Sequence, residues 1–357
     1  MSGGNLDEAR ATAFGERVLD IMNGGALALM TSLGHRAGLF DTMAGRPASS
    51  SREIADTAGL DERYVREWLG AMVTGRFVEY DAEKDRYWLP PEHAACLTRA
   101  AGPDNLAVSM QYIAMLGGVE SKILDCFREG GGVPYDEFAR FHEVMAEESS
   151  VAQDVALIDT TLPLAPGLVE RLRLGIDVLD LGCGSGHAAN LIAEAFPKSR
   201  VAGYDFSSEG VERARDEARA LGLANARFEV RDAAHLGDAE VFDLVVAFDA
   251  IHDQADPAAV LADIARVLRS DGVFLMVDVA ASSRVHENLD HPLAPYYYTV
   301  SCMHCMTVSL ALGGAGLGAM WGEQKACGML AAAGFGAVDV RHVDGDEAST
   351  YYLARKR

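Results

Sequence analysis

A strand-like run followed by alternating glycines occupies residues 178–186, Val-Leu-Asp-Leu-Gly-Cys-Gly-Ser-Gly. Glycine permits a tight turn and lets a bulky ligand lie against bare backbone. A helix opening after Gly186 offers unpaired N–H groups to polar ligand atoms. The spacing departs from the dinucleotide fingerprint G-x-G-x-x-G, because His187 and Ala188 follow Gly182, Gly184 and Gly186. Carboxylates then recur: Asp205 in VAGYDFS, Asp232 in VRDAAHL and Asp249 after LVVAF. Any one of them could be a helix cap or a solvated loop residue. At successive strand ends, they are expected to share the edge where open α/β sheets bind ligands. His252 and Asp253 come next, and His304 lies 52 residues beyond His252. Imidazole beside carboxylate is general-base chemistry. Two histidines with one carboxylate are also the facial ligand set of non-haem iron, and zinc accepts the same donors.

The strand, its Asp180 and the glycines resemble the first motif of class I S-adenosylmethionine (SAM)-dependent methyltransferases, and the resemblance extends over residues 175–357. It implies that Asp180, Gly182, Gly184 and Gly186 form the cofactor loop and that Asp205, followed by Phe206, grips the ribose hydroxyls. It further implies that Asp232 and Ala233 read the adenine edge, with Phe248 and Asp249 completing the cofactor site. Ile251-His252-Asp253-Gln254 resembles the His-Asp pair of plant-type O-methyltransferases, where histidine takes the proton of a phenolic hydroxyl. With His304 added, the set is similar to actinobacterial α-keto acid C-methyltransferases of the phenylpyruvate type. That resemblance implies one iron or zinc ion on His252, Asp253 and His304, polarising the acceptor carbonyl and holding its enolate. The expected function is metal-assisted C-methylation of an α-keto acid. O-methylation with His252 as general base is the alternative, and a SAM-sensing winged-helix transcription regulator is the alternative from another class.

The segment at about residues 281–322 is an insertion rich in Tyr, Met and Gly, expected to wall the acceptor pocket. Tyr297, Met303 and Trp321 are its candidate substrate contacts, joined by Tyr112 and by Arg140 as a partner for an acceptor carboxylate. The glycines at 313, 314, 316 and 318 lack the following Lys of a phosphate cradle. Cys302 and Cys305 flank His304 as C-M-H-C, and a single CxxC without a second pair is expected to be buried thiols.

These residues need a scaffold. After Gly175 five short apolar runs alternate with expected helices, IDVLDLG, RVAGYDF, ARFEVRD, FDLVVAFDA and GVFLMVDV, which specifies a parallel sheet. A helix from about Glu323 to Ala333 and two closing strands, AVDVRHV and STYYLARK, complete a Rossmann-like seven-stranded α/β domain over 173–357. Residues 101–172 are read as a helical connector. In residues 1–100, helices at 26–44, after Ser49–Ser51 and at Glu62–Val73 precede a hairpin in FVEYDAEKDRYWLP, the pattern of a winged helix. That front end resembles the dimerisation domain of small-molecule methyltransferases, which implies a homodimer.

The chain has 357 residues with 31 basic against 53 acidic side chains, a net charge of −22. Such a field repels phosphate backbones and anionic lipid. The first hundred residues hold 15 acidic and 11 basic side chains, against a nucleic-acid role for the winged helix. Six cysteines in a chain this long read as reduced thiols. With no secretory pattern at MSGGNLDEAR and no long apolar run, a cytoplasmic location is expected.

Overall fold

The computed structural model describes residues 6–237 and 239–356. The chain divides at Gly117/Gly118, inside the stretch read as a connector.

In the first unit, helix α1 (Glu8–Arg36) starts on Asp7, whose side chain accepts from the Arg10 N–H. The sequence reading had one helix over 26–44. The structure instead breaks at Gly38, in the left-handed region at φ 69°, before α2 (Leu39–Met43). Helix α3 (Ser51–Ala58) begins with a reciprocal Ser50–Glu53 capping box, and α4 (Glu62–Thr74) is capped by Asp61. Trp68 of α4 donates to the Met30 carbonyl at 2.8 Å and meets Phe40 edge-on. This contact requires Gly34, where a Cβ would stand 2.5 Å from the Trp68 ring. Strands β1 (Glu79–Asp81) and β2 (Arg86–Trp88) form the wing. On α4, Arg63 pairs with Glu67 and Arg66 with Glu62, so the helix neutralises its own cations. Helices α5 (Pro91–Leu97) and α6 (Met110–Gly117) complete the unit.

The second unit opens with α7 (Glu120–Glu129), α8 (Phe141–Ala156) and α9 (Leu168–Leu174). Gly130 and Gly131, both at positive φ, end α7. The chain then runs close beneath α14 (Met306–Ala311): Val133 N–H donates to Thr307 Oγ1 at 2.8 Å, and a Cβ at Gly132 would lie 1.9 Å from the Thr307 carbonyl oxygen.

The sheet contains β3 (Asp177–Leu181), β4 (Arg200–Asp205), β5 (Ala226–Val230), β6 (Phe242–Phe248), β7 (Leu268–Val279), β8 (Phe335–Val343) and β9 (Asp346–Lys356). Its order is β5-β4-β3-β6-β7-β9-β8, parallel through β7 and closed by an antiparallel hairpin. Period-two alternation sends Leu179, Val245 and Phe274 to one face and Val178, Val246 and Leu275 to the other. The first face packs on α12 (Pro257–Val267) and α15 (Glu323–Ala332), through residues such as Leu261 and Leu330. The second packs on α9, α10 (His187–Ala195) and α11 (Ser208–Ala220), through Leu172, Ile192 and Val211. Burial on both faces explains why these strands read as nearly continuous apolar runs.

The helix expected between β5 and β6 is absent among the described residues. Asp232 caps a tight turn and Gly237, at φ 99°, ends it, leaving too few residues for a helix. The insertion holds α13 (Ala294–Val300), a π-turn at Ser301–Cys305, and α14. Trp321, read as pocket lining, is 4% exposed and belongs to the core on the α12/α15 face, because the chain must pass there to enter α15. No described helix is long and apolar enough to cross a membrane.

Candidate active site

The three loop glycines have different duties. All sit at positive φ, 71° at Gly182, 52° at Gly184 and 75° at Gly186. A Cβ at Gly182 would come 2.4 Å from that of Ala250, and one at Gly186 would strike Ala214 at 2.4 Å and Phe228 at 2.6 Å. At Gly184 nothing lies within 4 Å. Two glycines therefore let the loop pack, and the middle one faces open space. Asp205, at the end of β4, fixes this loop: its carboxylate accepts from Gly184 N–H at 2.9 Å and Ser207 N–H at 2.8 Å. Each oxygen retains acceptor capacity for a ligand hydroxyl.

Asp180 is 2% exposed, and its Oδ2 has no hydrogen-bond partner. Burial, with the charge of Asp205, pushes its carboxyl up to about 7. Phe206 is exposed and meets Tyr135 edge-on at 5.6 Å. Asp232 is exposed and accepts from Ala234 N–H and His235, both at 2.9 Å, while Ala233 packs partly on the core. Phe248 is half-buried at the end of β6, and Asp249 follows at φ 50°, strained for a non-glycine residue.

His252 is 4% exposed, and its Nδ1 lies 2.8 Å from Oδ1 of Asp278, itself 1% exposed. The sequence reading paired His252 with Asp253. The carboxylate in contact is Asp278, because β7 runs beside β6 and ends level with it. A carboxylate on Nδ1 fixes the ring's orientation and makes Nε2 the nitrogen that exchanges a proton when the ring is neutral. The thiol of Cys305 also lies within hydrogen-bonding reach of the imidazole. Burial lowers the basicity of His252, but Asp278 and Cys305 outweigh it and hold the ring well above its ordinary range. Asp253 is half-buried and pushed up to about 6 by burial, against the opposing charge of His252.

His304 is 1% exposed in the π-turn, with neither ring nitrogen hydrogen-bonded. It stacks on Phe141 at 3.5 Å and 7°, with Phe138 and Tyr135 edge-on at 4.7 and 5.2 Å. Burial and the nearby charge of His252 push it down to about 3, so the ring is neutral. The donors His252, Asp253 and His304 suit iron or zinc by type, and both nitrogens of His304 are buried without a hydrogen-bond partner. Their ligating atoms are not gathered, however. Among the described residues, the three-residue group whose donor atoms all lie within 4.8 Å is Asp249, His252 and Asp278.

Tyr297 lies on α13, where Asp249 and Glu148 add to burial in raising its phenol above the ordinary range, and Met303 is half-buried in the π-turn. Arg140 is committed to a two-point ion pair with Glu143 at 2.9 and 3.0 Å. Tyr112 is buried in α6 of the first unit. Sequence reasoning missed Asp278, Tyr135 and the Phe138/Phe141 cage. Asp278 had a signal, as the one carboxylate at the end of the apolar run FLMVDV.

Residues 25–99 match the family model described as an Rv2258c-like winged HTH domain, and residues 172–334 match one described as a methyltransferase domain. The chain is 33% identical over 158 residues to 27-O-demethylrifamycin SV methyltransferase of Amycolatopsis mediterranei, covering 41% of this chain and 57% of that protein. It spans 40%, 61% and 60% of the length of three other curated relatives it matches. Among solved structures it is similar to the mitomycin 7-O-methyltransferase MmcR, at 17% identity, TM-score 0.72 and coverage of 98% and 99% of the two chains. Human N-acetylserotonin methyltransferase, solved with SAM, gives 17%, 0.68, and 100% and 99%. These structures share its fold. The chain thus joins a segment that matches the Rv2258c-like winged HTH model to a segment that matches the methyltransferase-domain model.

Proposed function

We propose that the protein transfers the methyl group of SAM to a hydroxyl of a small-molecule acceptor, with His252 as general base. The observation that carries this reading is the buried 2.8 Å contact between His252 Nδ1 and Asp278. Asp278 orients the imidazole and raises its basicity, and the neutral ring is the form that takes the acceptor proton on Nε2, so the rate should rise with pH as the ring gives up its proton. Donor binding falls to the Gly182–Gly186 loop, with Asp205 toward the ribose and Asp180 toward the cationic end of SAM. Methyl transfer is then a displacement that requires in-line alignment of acceptor oxygen, methyl carbon and sulfonium. The names of the A. mediterranei relative and of MmcR, both O-methyltransferases, support an oxygen acceptor.

A second reading rests on His304, whose two nitrogens are buried without partners. His252, Asp253 and His304 would hold one iron or zinc ion only on drawing together donor atoms that the structure leaves apart, and that ion when bound would polarise the carbonyl of an α-keto acid toward its enolate. His252 would keep Asp278 on its Nδ1.

The test is methyl transfer from radiolabelled SAM to matched panels of phenols and α-keto acids, with metal content measured on the same samples. The first reading expects labelled phenol ethers, with metal-free protein fully active. Labelled β-carbon products that vanish in metal-free protein and in His304→Ala would replace it with the second. No transfer to either panel, with SAM unbound, would overturn both. A homodimer through the first unit, and residence in the cytoplasm, belong to the same proposal.

A further inference from the structure

His187 is the first residue of α10, immediately after the loop glycines. Its Nδ1 lies 2.6 Å from Oε1 of Glu217 on α11, and its Nε2 lies 2.8 Å from Oδ1 of Asp154 on α8. Ionised carboxylates only accept, so both ring nitrogens must donate, and the ring is an imidazolium. A cation in the first turn of a helix opposes the helix dipole. It is retained here by two carboxylates on two other helices. Glu217 is held in turn by Asn190, which donates to its Oε2 at 2.7 Å. The clamp therefore ties α8 to the start of the helix that the glycine loop opens.

Helix α8 meets the donor side at its other end as well. His142 lies near Asp205, and Tyr135, just before the helix, lies tilted against His142 at 4.8 Å and meets Phe206 edge-on at 5.6 Å. Between these ends the same helix serves the acceptor side: Phe141 stacks on His304, and the charge of Glu148 acts on Asp249 and Tyr297. One helix thus borders both halves of the site.

We propose that His187 is a positioning residue, a charged clamp through which occupation of the SAM loop sets helix α8 and with it the acceptor wall. The inference rests on the assignment of the Gly182–Gly186 loop to SAM. When the cofactor orders the loop, it orders the first turn of α10, and the imidazolium carries that restraint to Asp154. The acceptor cage then assembles around a donor already in place, which favours binding of donor before acceptor.

The test uses S-adenosylhomocysteine, the demethylated product, as probe, so no acceptor need be known. Hydrogen exchange of the α8 amides is followed with and without the probe in wild type, Asp154→Asn and His187→Gln. In wild type, probe binding should slow exchange in residues 145–156 by about tenfold. In Asp154→Asn, at an exposed position of α8 whose described link to the loop region is the bond to His187, the probe should bind within about twofold of wild type while α8 loses that protection. His187→Gln should lose it as well. Equal protection of α8 in wild type and Asp154→Asn at saturating probe would overturn the clamp. Failure of the probe to bind wild type would instead overturn the donor-site assignment, so the two failures are distinguishable.

Discussion

An imidazole buried against a carboxylate has one nitrogen spoken for, and the chemistry of the site follows from which one. With Nδ1 of His252 on Asp278, proton transfer belongs to Nε2. Asp278→Asn keeps the shape but can impose the wrong tautomer by donating its amide to Nδ1. It should lower kcat by about a hundredfold or more and leave SAM affinity within about twofold, read by steady-state kinetics and calorimetry. Asp180 gives a pH signature. Its carboxyl is pushed up to about 7, above its ordinary value of 3.8, so its burial favours the protonated form. In the free protein its contribution to stability is complete below the ordinary value and is lost as pH rises through about 7. Cationic SAM compensates the ionised form. The rise in Tm on adding SAM should therefore be larger at about pH 8 than at about pH 5, a difference that Asp180→Asn should flatten. A SAM-induced rise in Tm of equal size at both pH values would contradict this role.

At the scale of elements, the glycine loop separates folding from binding. Gly186→Ala adds left-handed strain to clashes with Ala214 and Phe228, and should cost about 2 kcal/mol or more of stability in thermal unfolding. Gly184→Ala meets only open space, so it should cost about 1 kcal/mol of stability while weakening SAM at least tenfold in titration. Elements were legible where their cause is local. Ser50 with Glu53 announced α3, Asp61 announced α4, and the apolar runs announced β3 to β7. Where the cause is remote they were not. The β5–β6 connection looked long enough for a helix until its turn residues were placed, and the break at Gly38 was hidden within continuous apolar spacing. The same rule holds in the site. The glycine loop and the strand-end aspartates are sequence-local signals, whereas Asp278 reaches His252 only through the pairing of β6 with β7. Phe141 and His304 meet only because α8 and the π-turn are packed together.

At the scale of the molecule, α1 presents Phe14, Val18, Leu19, Ile21 and Met22 to solvent, each at least 47% exposed. An apolar strip of this kind on one helix calls for a covering surface, and the proposed homodimer would provide it. Light scattering on a size-exclusion column should report twice the chain mass for wild type and the chain mass for Ile21→Lys/Met22→Lys. A monomeric wild type would remove the dimer. The acidic chain, net −22, suits the proposed binding of cationic SAM.

The central claim is tested most directly by methyl transfer from radiolabelled SAM to a hydroxyl-bearing acceptor panel, comparing wild type with Asp278→Asn at equal SAM occupancy. Labelled ether formed by wild type, and reduced about a hundredfold in the variant, is the predicted result. Transfer that proceeds equally in both would contradict the assignment of His252 and Asp278 as the base.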